Sequence, residues 1–410
     1  MIRYRAAWVV PVAGPPLRDG WVAVDEGRIA ATGRGHDGAI RAHDLGSVAL
    51  LPGLVNAHTH LELTYLRGHV PPAPSFVTWV RGVMAARRQR PDPQAFEILD
   101  GVRAGIDEAV RCGTALVGDI SNTLVTHAPL SASPLAGVLF YELIRFNTTD
   151  PAGVVSEACQ QIDALPPNDR LRASLAAHAP YSVAPLVFRA IREAMDQRPG
   201  VPCSVHLSES REETEFIQTG GGAWRAFLEE IGSWDPAWIA PGVSPVQFLD
   251  EAGFLDHRVL AVHGVQMTRP DLARLAARGT TIVTCPRSNA YTGAGAPPVA
   301  DFYAAGVPVA VGTDSLASTP NLNVFSELAM LRTLAPAVPA SRLLESATLE
   351  GARALGFEAE YGSLEAGKRA RILAVRIPPG LTDVEEYLVA GVEPDQVFWV
   401  ADSPALLSLP

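Results

Sequence analysis

The 410-residue sequence is almost empty of lysine: Lys368 stands alone among 33 lysines and arginines. Cysteine is scarce too. Cys112, Cys159, Cys203 and Cys285 lie far apart with no CxxC pair, which speaks for buried thiols in a reducing compartment rather than a disulfide framework. No run approaches the ~20 apolar residues of a membrane span, and MIRYRAAWVVPVAGPP holds too short an apolar stretch for a signal peptide. The expectation is a soluble cytoplasmic protein. A net charge of −11 without a basic cluster argues against nucleic acid or an anionic membrane as partner and leaves a small-molecule substrate. Familiar catalytic signatures are missing as well. No GxGxxG follows a strand, HExxH and GxSxG are absent, and no HxE is followed by PCxxC.

What is present is a chain that is 48% hydrophobic, ample for a large core. The first fifty residues read as β structure, with WVAVDEGRIAATG as a hairpin around a short Asp-Glu-Gly turn. The tail returns to β-rich segments. There ARILAVRI alternates, and EEYLVAG and QVFWVAD are short strand candidates. Residues 1–50 and 358–410 are therefore expected to pair into one small β-sandwich. Between them, eight apolar runs recur near 50, 115, 138, 175, 204, 261, 282 and 310. Helical stretches such as PQAFEILDGVRAGIDEAVRCG, PLVFRAIREAMDQ and DLARLAARG separate most of them. Near-continuous apolar strands alternating with helices indicate a parallel sheet covered on both faces, and eight units over about 300 residues fit a (β/α)8 barrel spanning 51–357. The competing doubly wound sheet would announce a nucleotide site with a glycine-rich first turn, which is missing.

Chemically loaded residues fall at the C-terminal ends of these runs. The first run, LPGLVNAHTHLELT, ends in His58 and His60, whose side chains an extended backbone points to one side. The fourth ends in His178, the fifth in His206, the sixth in His263, the seventh in Cys285 and the eighth in Asp314. In a barrel these positions converge on one face. His58, His60, His206 and Asp314 offer three neutral nitrogens and one anionic oxygen. That set suits one divalent ion, Zn²⁺ first, with Fe²⁺ or Mn²⁺ also accepted. Lys368 lies outside the barrel region, so no carbamylated lysine can bridge two metals. Such an ion lowers the pKa of bound water from about 15.7 toward ~7. Glu209, three residues after His206 in HLSE, is the candidate general acid, although in ESREETE it also reads as a solvated loop acid. His263 is the candidate partner of the attacking water, or else a core histidine; Asp314 is the candidate proton acceptor, or else a helix N-cap. Phe76 and Trp79, with His69, follow the first strand as a candidate lid or pocket wall.

The ordered set PGLVNAHTHLE, HLSE, HG, CPRSN and GTDS, closed by GSLEAGK, resembles the amidohydrolase superfamily, and within it the metal-dependent deaminases and chlorohydrolases. That resemblance spans nearly the whole chain. It implies a (β/α)8 TIM barrel with a β-sandwich from both termini and a mononuclear site with His58, His60, His206 and Asp314 as ligands. It also implies Glu209 and His263 at catalytic positions, His178 as a substrate contact, and commonly a homodimer. Trp79, Ser288 and Asn289 are further candidate substrate contacts. HLSESREETEFIQTGGG and CPRSNAYTGAGAPPV look most like aminodeoxyfutalosine deaminases and their relatives. One departure is GKRAR, where Arg371 replaces the family's usual acid. The expected reaction is hydrolytic deamination of an aminopurine-like ring or nucleoside, 6-amino-6-deoxyfutalosine or a related adenine nucleoside. Chlorohydrolase or cyclic amidohydrolase chemistry is the alternative, and a silent barrel scaffold the alternative of another class.

Overall fold

A computed structural model describes residues 1–35 and 42–400. Eight parallel strands follow one another in chain order, each hydrogen-bonded to the next. They are β1 (Leu54–Thr59), β2 (Thr114–Ser121), β3 (Ala136–Leu143), β4 (Leu171–Ala177), β5 (Cys203–Leu207), β6 (Val259–His263), β7 (Thr281–Thr284) and β8 (Val309–Val311). The end of β8 returns to β1: the backbone N–H groups of Thr313 and Asp314 both donate to the His58 carbonyl, at 3.1 and 3.0 Å. Each of the eight apolar runs contributes a barrel strand, the first only through its later half. Every residue of β2, β5, β6 and β7 is buried, because helices cover the outer face and side chains fill the interior.

The intervening helices follow from local chemistry. Pro185–Gln197 begins on proline and buries Val187, Phe188, Ile191 and Met195, spaced for one helix face. Arg269–Arg278 starts with a capping box between Thr268 and Asp271 and stops at Gly279, whose φ of 67° suits glycine. Among the described residues no helix is long and apolar enough to cross a membrane.

Both chain ends build a second, seven-stranded mixed sheet. Ile2–Val9, Leu17–Asp25, Arg28–Arg34, Ala42–Asp44 and Val48–Pro52 come from the start, and Ile372–Arg376 and Val397–Trp399 from the tail. Val48–Pro52 pairs antiparallel with Ile372–Arg376 and locks the two ends together. Three details differ from the sequence reading. The first apolar run is divided at Gly53, its early half in the terminal sheet and its late half in β1. EEYLVAG is not a strand but the helix Val384–Val389. Asp383 caps it by accepting the N–H of Glu386 at 3.0 Å, and Val384, Leu388 and Val389 pack inward. Ile372–Val375 does not alternate, because both of its faces are covered.

Candidate active site

The C-terminal ends of β1, β5, β6 and the turn after β8 bring four imidazoles and a carboxylate together. His58 and His60 face one another as the period of a strand requires, with Nε2 atoms 3.2 Å apart. Asp314 Oδ1 lies 3.7 Å from His58 Nε2 and 3.4 Å from His60 Nε2. The ring of His206 stands 5.0 Å from that of His58 and 5.6 Å from that of His60, centroid to centroid. Its Nδ1–H donates to the His178 carbonyl at 2.8 Å, which leaves Nε2 as the free lone pair. His58 belongs to two sets of close donors, one with His60 and Asp314, the other with His206 and His263.

These residues fit a divalent cation. A tetrahedral ion with bonds of about 2.0–2.2 Å holds its ligand atoms about 3.3–3.6 Å apart; the three edges among His58, His60 and Asp314 fall around that interval, and His206 joins through its closeness to His58. The protonation states fit as well, since ligands must be deprotonated. Burial, together with neighbouring rings, takes His60 down to about 3 and His206 well below the usual imidazole range, so both rings are neutral. Burial opposes ionisation of Asp314, but the hydrogen bond with His58 and the fields of His60 and His263 hold its carboxyl well below the usual range.

The remaining candidates surround this cluster. Glu209 is buried, with its carboxylate 3.4 Å from His263 Nε2. Burial first, then the charges of Asp314, Glu213 and Glu212, push its carboxyl well above the ordinary range, which favours its protonated form. The expectation of a solvated loop acid is thereby replaced. His263 is neutral, taken down to about 4 chiefly by burial, and its Nδ1–H donates to Asn289 Oδ1 at 2.8 Å. His178 bonds Ser182 Oγ through Nδ1 at 2.5 Å. Asp314 caps no helix; its Oδ2 accepts from Ser288 Oγ at 2.5 Å and Ser318 Oγ at 3.0 Å, which leaves Oδ1 to face the histidines. Three non-glycine residues here hold left-handed backbone conformations: Ser208 (φ 53°), His263 (φ 77°) and Asp314 (φ 61°). Each costs about 1–3 kcal/mol, and such strain persists where the surroundings fix it.

A cavity of about 580 Å³ opens from the cluster, lined by His60, His178, His206, Glu209, His263 and Asp314 and walled by Phe76, Trp79, Trp224 and Phe227. Trp79 lines the cavity, whereas Ser288 and Asn289 do not. Both are fully buried behind it, where they hold Asp314 and His263. Cys285 is likewise buried away from the cavity, and His69 is exposed and bonds the Arg67 carbonyl. Arg371 lies over the Trp399 ring, 4.0 Å from its centroid, in the terminal sheet rather than the site.

Sequence reasoning missed three acids. Glu213 accepts the backbone N–H groups of Ser208 and Glu209 at 2.9 and 2.8 Å and so fixes the turn that carries Glu209. The Ser-x-x-Glu spacing from Ser210 to Glu213 was a legible helix-start signal. Glu62 gathers Ser121 Oγ, the Asn122 N–H, Thr123 Oγ1 and Arg87 at 2.6–3.1 Å. Glu142 lies 3.5 Å from His206 Nδ1, and burial raises it to about 7. No local pattern marked these two.

Comparison with known proteins agrees with this geometry. The family model described as the amidohydrolase family matches residues 49–398. A 5-methylthioadenosine/S-adenosylhomocysteine deaminase of Moorella thermoacetica is 32% identical over 93% of this chain and 88% of its own length. An aminodeoxyfutalosine deaminase of Deinococcus radiodurans is 32% identical over 84% of this chain and 83% of its own. The crystal structure of an adenosine deaminase from Xanthomonas campestris with bound zinc superposes with a TM-score of 0.82 and 29% identity, covering 97% of this chain and 90% of that one.

Proposed function

We propose, from the premise that this chain belongs to the amidohydrolase family, that it is a zinc-dependent deaminase of 6-aminopurine nucleosides. Metal-dependent hydrolysis of a C–N bond comes with that membership and with its deaminase relatives; the ion, the residue roles and the substrate are the proposal. His58, His60, His206 and Asp314 would hold the ion, zinc being favoured by three nitrogen donors and one oxygen and by the zinc of the Xanthomonas relative. A divalent ion, when bound, supplies a Lewis acid that brings the pKa of water from about 15.7 toward ~7.

The chain's own groups supply the rest. Asp314, held ionised, accepts a proton from the attacking water. His263 keeps its proton on Nδ1 toward Asn289, so Nε2 accepts a hydrogen bond and orients that water against the amine-bearing carbon. Glu209, 3.4 Å from His263 Nε2, gives its proton to the purine nitrogen beside the amine-bearing carbon; the proton taken by Asp314 then passes to the amine, the added hydroxyl returns a proton to Glu209 as the carbonyl forms, and ammonia leaves. The aromatic wall accepts a flat base. The relatives named above are, by name, deaminases of 5-methylthioadenosine and S-adenosylhomocysteine and of aminodeoxyfutalosine, which makes aminodeoxyfutalosine or a related adenine nucleoside the foremost candidate here.

The buried carboxyl of Glu209, 3.4 Å from His263 Nε2 beside the histidine cluster, carries this reading, because a hydrolase that must protonate a ring nitrogen needs an acid out of water at that place. Ammonia release should be screened across adenine nucleosides, pyrimidines, pterins and triazines. Adenine nucleosides should react, and Glu209→Gln should keep its metal while kcat falls about 10²–10⁴-fold. Near-native turnover in that variant would remove Glu209 from its role, and chloride release from a triazine without purine deamination would replace the reaction.

A further inference from the structure

Glu213 is a fully buried acid with no arginine, lysine or histidine paired to it among the described residues. Burying a carboxylate is costly unless hydrogen bonds replace its water. Here Oε1 accepts the Ser208 N–H at 2.9 Å and Oε2 the Glu209 N–H at 2.8 Å, so both oxygens hold consecutive peptide groups of the turn after β5. That turn does what a continued strand could not. Along β5, His206 lines the cavity, while Val205 and Leu207 share a core cluster with Phe188 and Ile191 of the helix Pro185–Gln197. Side chains alternate along a strand, so continued extension would send residue 209 outward with Leu207. Ser208 instead takes a left-handed backbone, φ 53°, which a serine adopts only at a cost. Glu209 thereby comes round to the cavity beside His263. The far side of the same turn is held as well, the Ser208 carbonyl accepting the Gln266 N–H of the turn after β6 at 2.7 Å.

We infer that Glu213 is a positioning residue for the reaction, its carboxylate clasping the Ser208–Glu209 turn so that the proton donor faces the same cavity as the metal ligand His206. This rests on the deaminase reading above and deepens it, by naming what holds Glu209 in place. A carboxylate that accepts from two N–H groups makes charge-assisted bonds, stronger than those of a neutral acceptor. The clasp is itself fixed by its helix: Ser210 caps Arg211–Thr219 and accepts the Glu213 N–H at 3.2 Å, and from there the side chain reaches back over the cap. Glu213 does not line the cavity, so it acts on the substrate only through Glu209. Glutamine at this position would offer one acceptor and turn an NH2 group against the second N–H. Aspartate would keep the charge and fall one methylene short of the turn.

The test uses the metal-loaded full chain, adenosine and 5′-methylthioadenosine as probes, and ammonia release. Glu213→Gln and Glu213→Asp should each keep the metal content of the parent and a KM within about threefold of it, while kcat falls about 10- to 100-fold. The double variant shows whether Glu213 acts through Glu209. Glu209→Gln/Glu213→Gln should turn over within about twofold of Glu209→Gln alone, because the clasp then has no acid to position. Losses that multiply, parent-like kcat in either Glu213 variant, or failure of both to fold would overturn the inference. A crystal structure of Glu213→Gln, or of Glu213→Asp where only that variant folds, gives a readout independent of substrate. Glu209 should leave its 3.4 Å approach to His263 Nε2 while His206 stays in place, and an unmoved Glu209 overturns the inference. Ammonia from neither probe in the parent would count against the deaminase reading, and that crystal structure would still decide whether Glu213 holds the turn.

Discussion

Asn289 shows how much a single hydrogen bond can decide. By accepting from His263 Nδ1 it fixes which ring nitrogen carries the proton, and so what Nε2 can offer to a water. Asn289→Leu keeps the volume and removes the acceptor. We expect kcat to fall about 10- to 100-fold with metal content unchanged, the loss usual when an outer partner of an active-site histidine is deleted. Steady-state kinetics beside metal analysis checks this, and unchanged kcat would return His263 to an ordinary core histidine. The sequence exposed the histidines, Glu209 and Asp314 because each closes an apolar run, and a strand end in a barrel has one destination. It misdirected Ser288 and Asn289. CPRSN places them close to the site, but the chain enters the helix Pro286–Thr292 there, and both side chains fall on its buried side. Which way a side chain faces in the first turn after a strand is set by packing that no spacing reveals. Glu62 and Glu142 escaped for a related reason: their partners are contributed by other strands and by a helix.

At the scale of elements, the closure of the barrel and the assembly of the metal ligands are one event. β8 and β1 meet where Thr313 and Asp314 donate to the His58 carbonyl, so a shift of β8 moves the carboxylate relative to the rings. Gly312 makes that approach possible. A Cβ there would come within 2.8 Å of both the His58 Cβ and the His58 carbonyl and 3.0 Å of Cys285 Sγ. Gly312→Ala must therefore push the two strands apart. The variant should fold, with circular dichroism like that of the parent, yet retain less than about half its metal, because a misplacement of about 1 Å is large on the scale of a coordination bond of about 2 Å. Full metal occupancy would show that the strands have slack. The eight barrel strands were legible because burial on both faces makes each a continuous apolar run. The tail was less so. Val384–Val389 carries residues that suit a strand, and its helix depends on the Asp383 cap and on a packing face three residues wide, too short for periodicity to register.

For the whole molecule, the buried carboxyls that serve no catalytic role set a pH dependence of stability. Burial pushes Asp119 up to about 7 and Glu327 up to about 8. Unfolded, each titrates near 3.8–4.5. Between those limits the folded chain holds protons that the unfolded chain has released, so this contribution is full below the unfolded values and is lost as pH rises through 7 to 8. The thermal midpoint of the metal-loaded protein should fall between about pH 6 and about pH 8.5, and Glu327→Gln should flatten the fall. A midpoint that climbs across that window would contradict the assignment. The account as a whole turns on one divalent ion gathered by side chains from two strands and a turn distant in sequence. Elemental analysis of the purified chain after metal supplementation, read beside ammonia release, addresses it most directly. We predict close to one equivalent per chain, lost together with turnover in His58→Ala/His60→Ala and in Asp314→Ala. Full activity without bound metal, or metal binding undiminished when those ligands are removed, would contradict it.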